Sequence, residues 1–282
     1  EGIGVKRDFE KACSLFRESA EAGDVDGQFN LARRYQDGDG VEKDIDEAVK
    51  WYRAAADQGD ATSQWFLARC YQDGEGVESD FDEAVKWFRA AAEQGDEDAQ
   101  IELGHCYRRG KGVEKNLEEA ARWFTEAAEQ GNAFGLVDLG VCYQHGQGVE
   151  KDSNEAFKCY QESLKTGDDP RAITWVGRSY LNGIGVEEDV EKALAFFREY
   201  AENGGDGSGR AQEELGWCHY TDEYGIQDLE EAAKWFRLSA EQGNDMGQYF
   251  LAQCYRDGKG VEKDFDEALK WFKAAADQGD SE

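Results

Sequence analysis

Glycine loops come first among the residues of this chain that could do chemistry. The tetrapeptide Gly-x-Gly-Val stands at Gly2–Val5, Gly38–Val41, Gly74–Val77, Gly110–Val113, Gly146–Val149, Gly183–Val186 and Gly258–Val261, with a degenerate copy at Tyr224-Gly225-Ile226. Glycine-rich loops can cradle phosphates, but a dinucleotide fingerprint needs a preceding strand and a third glycine, and a P-loop needs Gly-Lys-Ser/Thr. Neither context surrounds these copies, so the loop reads as a helix-terminating turn and implies no cofactor.

Thiols come next. Of the seven cysteines, Cys70, Cys106, Cys142, Cys218 and Cys254 occupy one repeated position, while Cys13 and Cys159 replace apolar residues seen in other copies. Equivalent positions on stacked helices lie about 8–10 Å apart, beyond the roughly 7 Å Cα separation a disulfide spans. Reduced thiols in a reducing, intracellular compartment are expected. No Cys-x-x-Cys or His-containing zinc spacing occurs, so no metal site is expected. The three histidines, His105, His145 and His219, belong to different repeats and to no nucleophile motif. Most carboxylates fall at helix caps or on exposed faces, where capping and solvation account for them. The expectation is a chain that is not an enzyme.

The elements that must position these residues follow from periodicity. Aligning the second glycine of each loop gives spacings of 36, 36, 36, 36, 37, 40 and 35 residues. Each copy reads as two helices. The second is typified by residues 80–94, with Asp80 as N-cap and Glu83 three residues on as a capping-box partner. The first is typified by residues 61–71, with Leu67, then the small residue Ala68, then Tyr71. Small residues recur at fixed places on both helices (Ala84 and its equivalents on the second), where two backbones approach closely. One such hairpin cannot bury its apolar stripe alone, so neighbours stack. The reading is an all-α solenoid: residues 1–23 form the second half of a truncated repeat, followed by hairpins at about 24–59, 60–95, 96–131, 132–167, 168–204, 205–243 and 244–279. The orphan start suggests a fragment.

Composition agrees. The 62 acidic against 32 basic residues give a net charge of −30, which disfavours nucleic acid and anionic membrane as partners. With 8 Trp, 12 Tyr and 15 Phe the chain nonetheless carries ample surface to bury. No apolar run approaches the roughly 20 residues needed to cross a bilayer.

The string Leu-Ala/Gly-x-x-Tyr-x-x-Gly-x-Gly-Val-x-x-Asp followed by Glu-Ala-x-x-Trp-Phe-x-x-Ala-Ala-x-x-Gly resembles the Sel1-like repeat, a relative of the tetratricopeptide repeat. The resemblance covers essentially the whole chain and is weakest between 203 and 226. It implies a right-handed superhelix with the Leu-Ala-x-x-Tyr helices on its concave wall, and an adaptor role. Residues two before and two after each Leu should then face the groove. Among the former are Phe29, Trp65, Ile101, Val137, Glu213 and Tyr249, and among the latter Arg33, Arg69, His105, Arg178 and Trp217. Arg108, Arg109 and Arg256 join them from the last turns. Aromatic and Arg side chains dominate interface hot spots, so one reading is a groove for a partner protein segment with acidic groups answering the arginines, and the other is that Phe29, Trp65 and Tyr249 are partly core and the arginines pair with neighbouring carboxylates. The lengthened connection 203–210 is a second candidate. Rival readings are a receptor for small molecules or cell-wall fragments, and a passive repeat segment of a larger enzyme.

Overall fold

The computed structural model describes residues 8–205 and 207–279. The first glycine loop, Gly2–Val5, and Asp206 in the lengthened connection lie outside the described residues. The described residues form fifteen α-helices and no strand. After α1 (Phe9–Glu21), the helices pair as α2 (Val25–Asp37) with α3 (Ile45–Ala56), α4 (Ala61–Asp73) with α5 (Phe81–Ala92), and α6 (Glu97–Arg109) with α7 (Leu117–Glu129). They continue as α8 (Ala133–His145) with α9 (Ser153–Thr166), α10 (Arg171–Asn182) with α11 (Val190–Asn203), α12 (Ser208–Tyr220) with α13 (Leu229–Glu241), and α14 (Asp245–Asp257) with α15 (Phe265–Gly279). Two compact units result. The first takes the described residues up to Gly135 together with Gln147–Val149, and the second takes Leu136–Gly146 together with Glu150 onward.

Sequence dictates the ends of these helices closely. Asp44, Asp80, Asp152, Asp228 and Asn116 adopt extended backbone and accept amide hydrogen bonds from the first turn, a cap worth about 0.5–2 kcal/mol each. The capping box is not completed. Its return bond needs the cap residue's own amide, and in Asp80 that amide already donates to the Tyr71 carbonyl at 2.9 Å, as Asp44 does to Tyr35 and Asp228 to His219. Released from that duty, Glu83 pairs with Lys86 at 3.1 Å and Glu231 with Lys234 at 3.1 Å.

The two glycines of each loop do different work. The first terminates a helix, as Gly110 does with φ +72°. The second is pressed against the preceding repeat: a Cβ at Gly112 would lie 2.0 Å from the Phe81 carbonyl oxygen, and one at Gly260 1.7 Å from that of Leu229. Only glycine meets both the left-handed backbone and this contact. In the core, the small residue after each Leu admits an aromatic ring from the second helix. Cβ atoms at Gly104 and Gly216 would each lie 2.5 Å from Phe124 and Phe236 respectively. Leu67, Leu103, Leu215 and Leu251 are fully buried, as are Phe88, Phe124 and Phe236.

Buried glutamines join the hairpins, a feature the apolar pattern does not reveal. In the first unit Gln94 donates to Gln64 at 2.8 Å, and Gln64 donates in turn to the Ala56 carbonyl at 3.1 Å. Gln58 with Gln28 and Gln130 with Gln100 repeat the arrangement, as do Gln242 with Gln212 and Gln278 with Gln248 in the second unit. Leu136 and Ile173 interrupt the series. Near them Arg171 sits between Asp169 at 2.7 Å and Asp138 at 3.3 Å, both carboxylates being buried.

Candidate interaction surface on the first helices

In the first unit the expected groove residues come from α2, α4 and α6. Phe29 packs inward, its ring 6.1 Å from Tyr52 and 5.7 Å from Phe66. Arg33 lies over Phe66 at 5.2 Å and pairs with Asp37 at 3.5 Å. Trp65 meets Phe66 edge-on at 4.8 Å and carries Arg69 over its face at 5.7 Å. Arg69 pairs with Asp73 on its own helix at 3.2 Å and crosses to Glu102 of α6 at 3.5 Å. His105 and Arg108 hold each other at 2.9 Å, and both lie against Phe124, at 5.2 and 5.4 Å. Arg109 is exposed, while Ile101 is buried. The charges of Arg33 and Arg69 are therefore answered by carboxylates of the chain itself.

In the second unit the corresponding row runs along α10, α12 and α14. Arg178 grips Glu214 with two parallel bonds, Nε to Oε2 at 3.0 Å and Nη2 to Oε1 at 2.9 Å. Glu214 stands one repeat-position equivalent to Glu102, and Arg178 to Arg69, so this is the same cross-helix pair. The residue before it differs: where α6 has Ile101, α12 has Glu213. Burial, and secondarily the neighbouring Glu214, push the Glu213 carboxyl up to about 7. Burial raises Glu214 as well, against the opposing pull of Arg178.

Beside these carboxylates is a cavity of about 350 Å³, lined by Arg178, Leu181, Asn182, Glu213, Glu214, Trp217, Tyr224, Met246 and Phe250. It adjoins the degraded loop, which supplies Tyr224 to its wall. α12 ends at Tyr220 on an extended Thr221 instead of a left-handed glycine. The loop that follows therefore takes another course: Gly225 keeps φ +69° but has nothing within 4 Å of its Cβ position, and Tyr224 lines the cavity. Trp217 is 36% exposed and Tyr249 43%. Trp217 leans on Phe250 at 5.2 Å, and Tyr249 contacts Phe250 and Phe272 edge-on at 5.6 and 5.7 Å. Arg256 is exposed and paired with Asp257 at 2.7 Å.

Glu214, Tyr224, Met246 and Phe250 were absent from the expected groove. Three of them would have been found by extending the list to the residue immediately before Leu, where Phe66, Glu102, Glu214 and Phe250 stand, and to the loop whose glycines fail. None of the seven cysteines is in a disulfide, and six are buried. Burial pushes Cys70, Cys106, Cys159 and Cys254 up to about 11 and Cys218 to about 12. Among the described residues no helix is long and apolar enough to cross a membrane.

Helical hairpins, stacked through glycine loops at a period near 36 residues, define an α-solenoid repeat protein. The chain belongs to the Sel1 repeat family, whose repeat matches at residues 1–24, 25–60, 61–96, 97–132, 133–168, 170–205, 209–244 and 245–280. It is similar to the protective antigen c5321 of uropathogenic Escherichia coli, which displays an SLR fold, with 37% identity and a TM-score of 0.73 over 99% of this chain and 59% of that one. The chain thus spans 59% of that relative's length. A Sel1 repeat protein of Oxalobacter formigenes is 32% identical, with a TM-score of 0.70 over 98% of this chain and 80% of that one. Yeast Tom70, 19% identical with a TM-score of 0.59 over 95% of this chain and 55% of that one, shares the fold. No curated protein matches the chain.

Proposed function

We propose that this chain is a non-catalytic interaction scaffold that seats a segment of a partner protein against its first helices. The observation that carries the reading is the pair of exposed rings, Trp217 and Tyr249, presented by α12 and α14 beside a cavity large enough for a side chain. Large aromatics in such settings supply most of an interface's energy because they bury much area and freeze few torsions. Membership of a helical-repeat family agrees with this reading. A reducing compartment is part of it, supported by thiols spaced along one helix row instead of paired across a hairpin.

The test is affinity capture from reducing lysate with three forms of the chain: unsubstituted, Trp65→Ala/Arg69→Ala, and Trp217→Ala/Tyr249→Ala. A partner held by the first two forms and lost from the third supports the reading and assigns the surface to the second unit. Equal capture by all three overturns that assignment, and capture of nothing specific overturns the scaffold role.

A second reading draws on the same cavity. Its 350 Å³ lies at the lower end of the roughly 300–1,000 Å³ of small-molecule sites. Capture of the partner undiminished when small-ligand fractions of the lysate are added would set that reading aside.

A further inference from the structure

The scaffold reading leaves the chemistry of the partner open, and the cavity on α10, α12 and α14 narrows it. Two carboxylates meet there, Glu213 and Glu214. The guanidinium of Arg178 occupies both oxygens of Glu214. Glu213 has no hydrogen bond or ion pair with any described residue, although it lines the cavity and is partly buried. The remaining walls include Trp217, Tyr224 and Phe250, so a carboxylate with no bonded partner among the described residues stands beside aromatic side chains, and Arg178 and Arg210 act on it only through the charge they carry nearby. An incoming anion would meet Glu213 directly, and an apolar group would bury that carboxylate without a partner, which is costly. A cation gains twice, from the carboxylate and from the aromatic faces.

We propose that this cavity receives a lysine side chain from the partner segment, its four-carbon stem lying along Trp217 and Phe250 and its ammonium reaching Glu213. This rests on the scaffold reading and specifies its partner. Lysine fits better than arginine for two reasons. A guanidinium on Glu213 would spread its charge and its five donors beside the guanidinium of Arg178, which already holds both oxygens of Glu214. An ammonium is a compact charge that needs one carboxylate oxygen and tolerates aromatic surroundings. Its long stem covers apolar surface while the charge finds its partner. The chain's net charge of −30 draws a basic segment in from a distance.

Protonation gives an independent signature. The charged groups facing Glu213 are Arg178 from α10, Arg210 and Glu214 from α12, and Asp245 from α14. With its carboxyl pushed up to about 7, Glu213 is mostly neutral at pH 5.5 and mostly ionised at pH 8. Lysine, charged at both, binds more tightly at the higher pH.

The experiment uses an acetylated, amidated pentapeptide Gly-Ala-Lys-Ala-Gly, and versions with norleucine, arginine or glutamate at the centre. Binding is read by the indole N–H resonance of Trp217, assigned through Trp217→Phe. The expected result is a saturable shift with the lysine peptide, at least tenfold weaker binding of the norleucine peptide, and at least tenfold weaker binding of the lysine peptide to Glu213→Gln. Binding should also weaken between pH 8 and pH 5.5 in the unsubstituted chain and stay level in Glu213→Gln. That variant is nearly isosteric and removes a partly buried charge, so it folds, as circular dichroism and a melting curve would verify. Diffuse attraction to an acidic protein would survive the loss of one charge in thirty, so equal binding to Glu213→Gln overturns the proposal. So does a norleucine or arginine peptide that binds as well as lysine. If the norleucine or glutamate peptide moves Trp217 and lysine does not, the surface still seats peptides and only the lysine assignment falls. If no peptide moves Trp217, the lysine assignment falls, and the scaffold reading stands or falls separately on the capture comparison.

Discussion

The α4–α6 row of the first unit and the α10–α12 row of the second are built from the same parts and end with different surfaces. Both carry a cross-helix Arg–Glu pair, Arg69 with Glu102 and Arg178 with Glu214. In the first row the neighbouring position is apolar Ile101, and Arg69 has a second carboxylate in Asp73. In the second row that position is Glu213, Arg178 serves Glu214 alone of the carboxylates it could bridge, and the following loop no longer docks by its second glycine. A solenoid can therefore keep its helical architecture while one repeat carries a carboxylate two residues before its Leu and a loop without the docked glycine, and it is there that a charged cavity lies.

The largest difference between the rows should appear on removing the arginine. Arg178→Ala leaves Glu214, whose side chain is 4% exposed, without its partner, and should cost about 3–5 kcal/mol by denaturant unfolding. Arg69→Ala leaves a Glu102 that is 24% exposed and should cost less than about 1 kcal/mol. Equal losses would mean the two pairs are energetically alike. Next come the loops. Gly112→Ala adds a collision with the Phe81 carbonyl to a left-handed alanine, about 2–4 kcal/mol in all. Gly225→Ala meets open space and carries only the backbone term of about 1–2 kcal/mol. A cost at Gly225 matching that at Gly112 would show that the degraded loop docks after all.

The smallest effect concerns pH. Glu213 has a folded value of about 7 against an ordinary 4.5, so between those values the native chain holds a proton the unfolded chain has released. Stability therefore falls as pH rises through this window, with the loss complete above about 7. Glu213→Gln should flatten this slope and raise stability at pH 8 by about 1–2 kcal/mol, measured as thermal unfolding from pH 4.5 to 8. Ile101→Glu would sharpen the comparison from the other side, by introducing into the first row the slope that the second already has.

Period, helix ends and close packing were legible because each depends on residue type at one position: Asp80 for a cap, Gly110 for a left-handed turn, Gly104 for a ring in contact. The reciprocal bond from Glu83 was not, because its partner amide is claimed by Tyr71, a residue nine positions earlier that no local pattern includes. The glutamine pairs escaped for a similar reason. Gln64 sits on an apolar face and is satisfied by Gln94 from the turn after α5, thirty residues on. Of the interaction surface, Trp217, Arg178 and Tyr249 were named from their offset to Leu. The cavity beside them was not, since Tyr224 reaches its wall from a loop whose course no residue pattern gives, and Thr221 and Tyr224 mark the loss of the glycines without its direction.

The second glycine of each loop has a bearing on how the chain is made. Gly112 rests on the carbonyl of Phe81, thirty-one residues nearer the start, and Gly260 on that of Leu229 at the same interval. A ribosome must therefore release one further helix and the loop after it before the start of a given second helix is covered, and each hairpin of this kind waits briefly for its successor. Synthesis in the direction of the chain closes these contacts one at a time and in order. Val190, toward which the loop at Gly225 would have reached, is where that succession skips a beat.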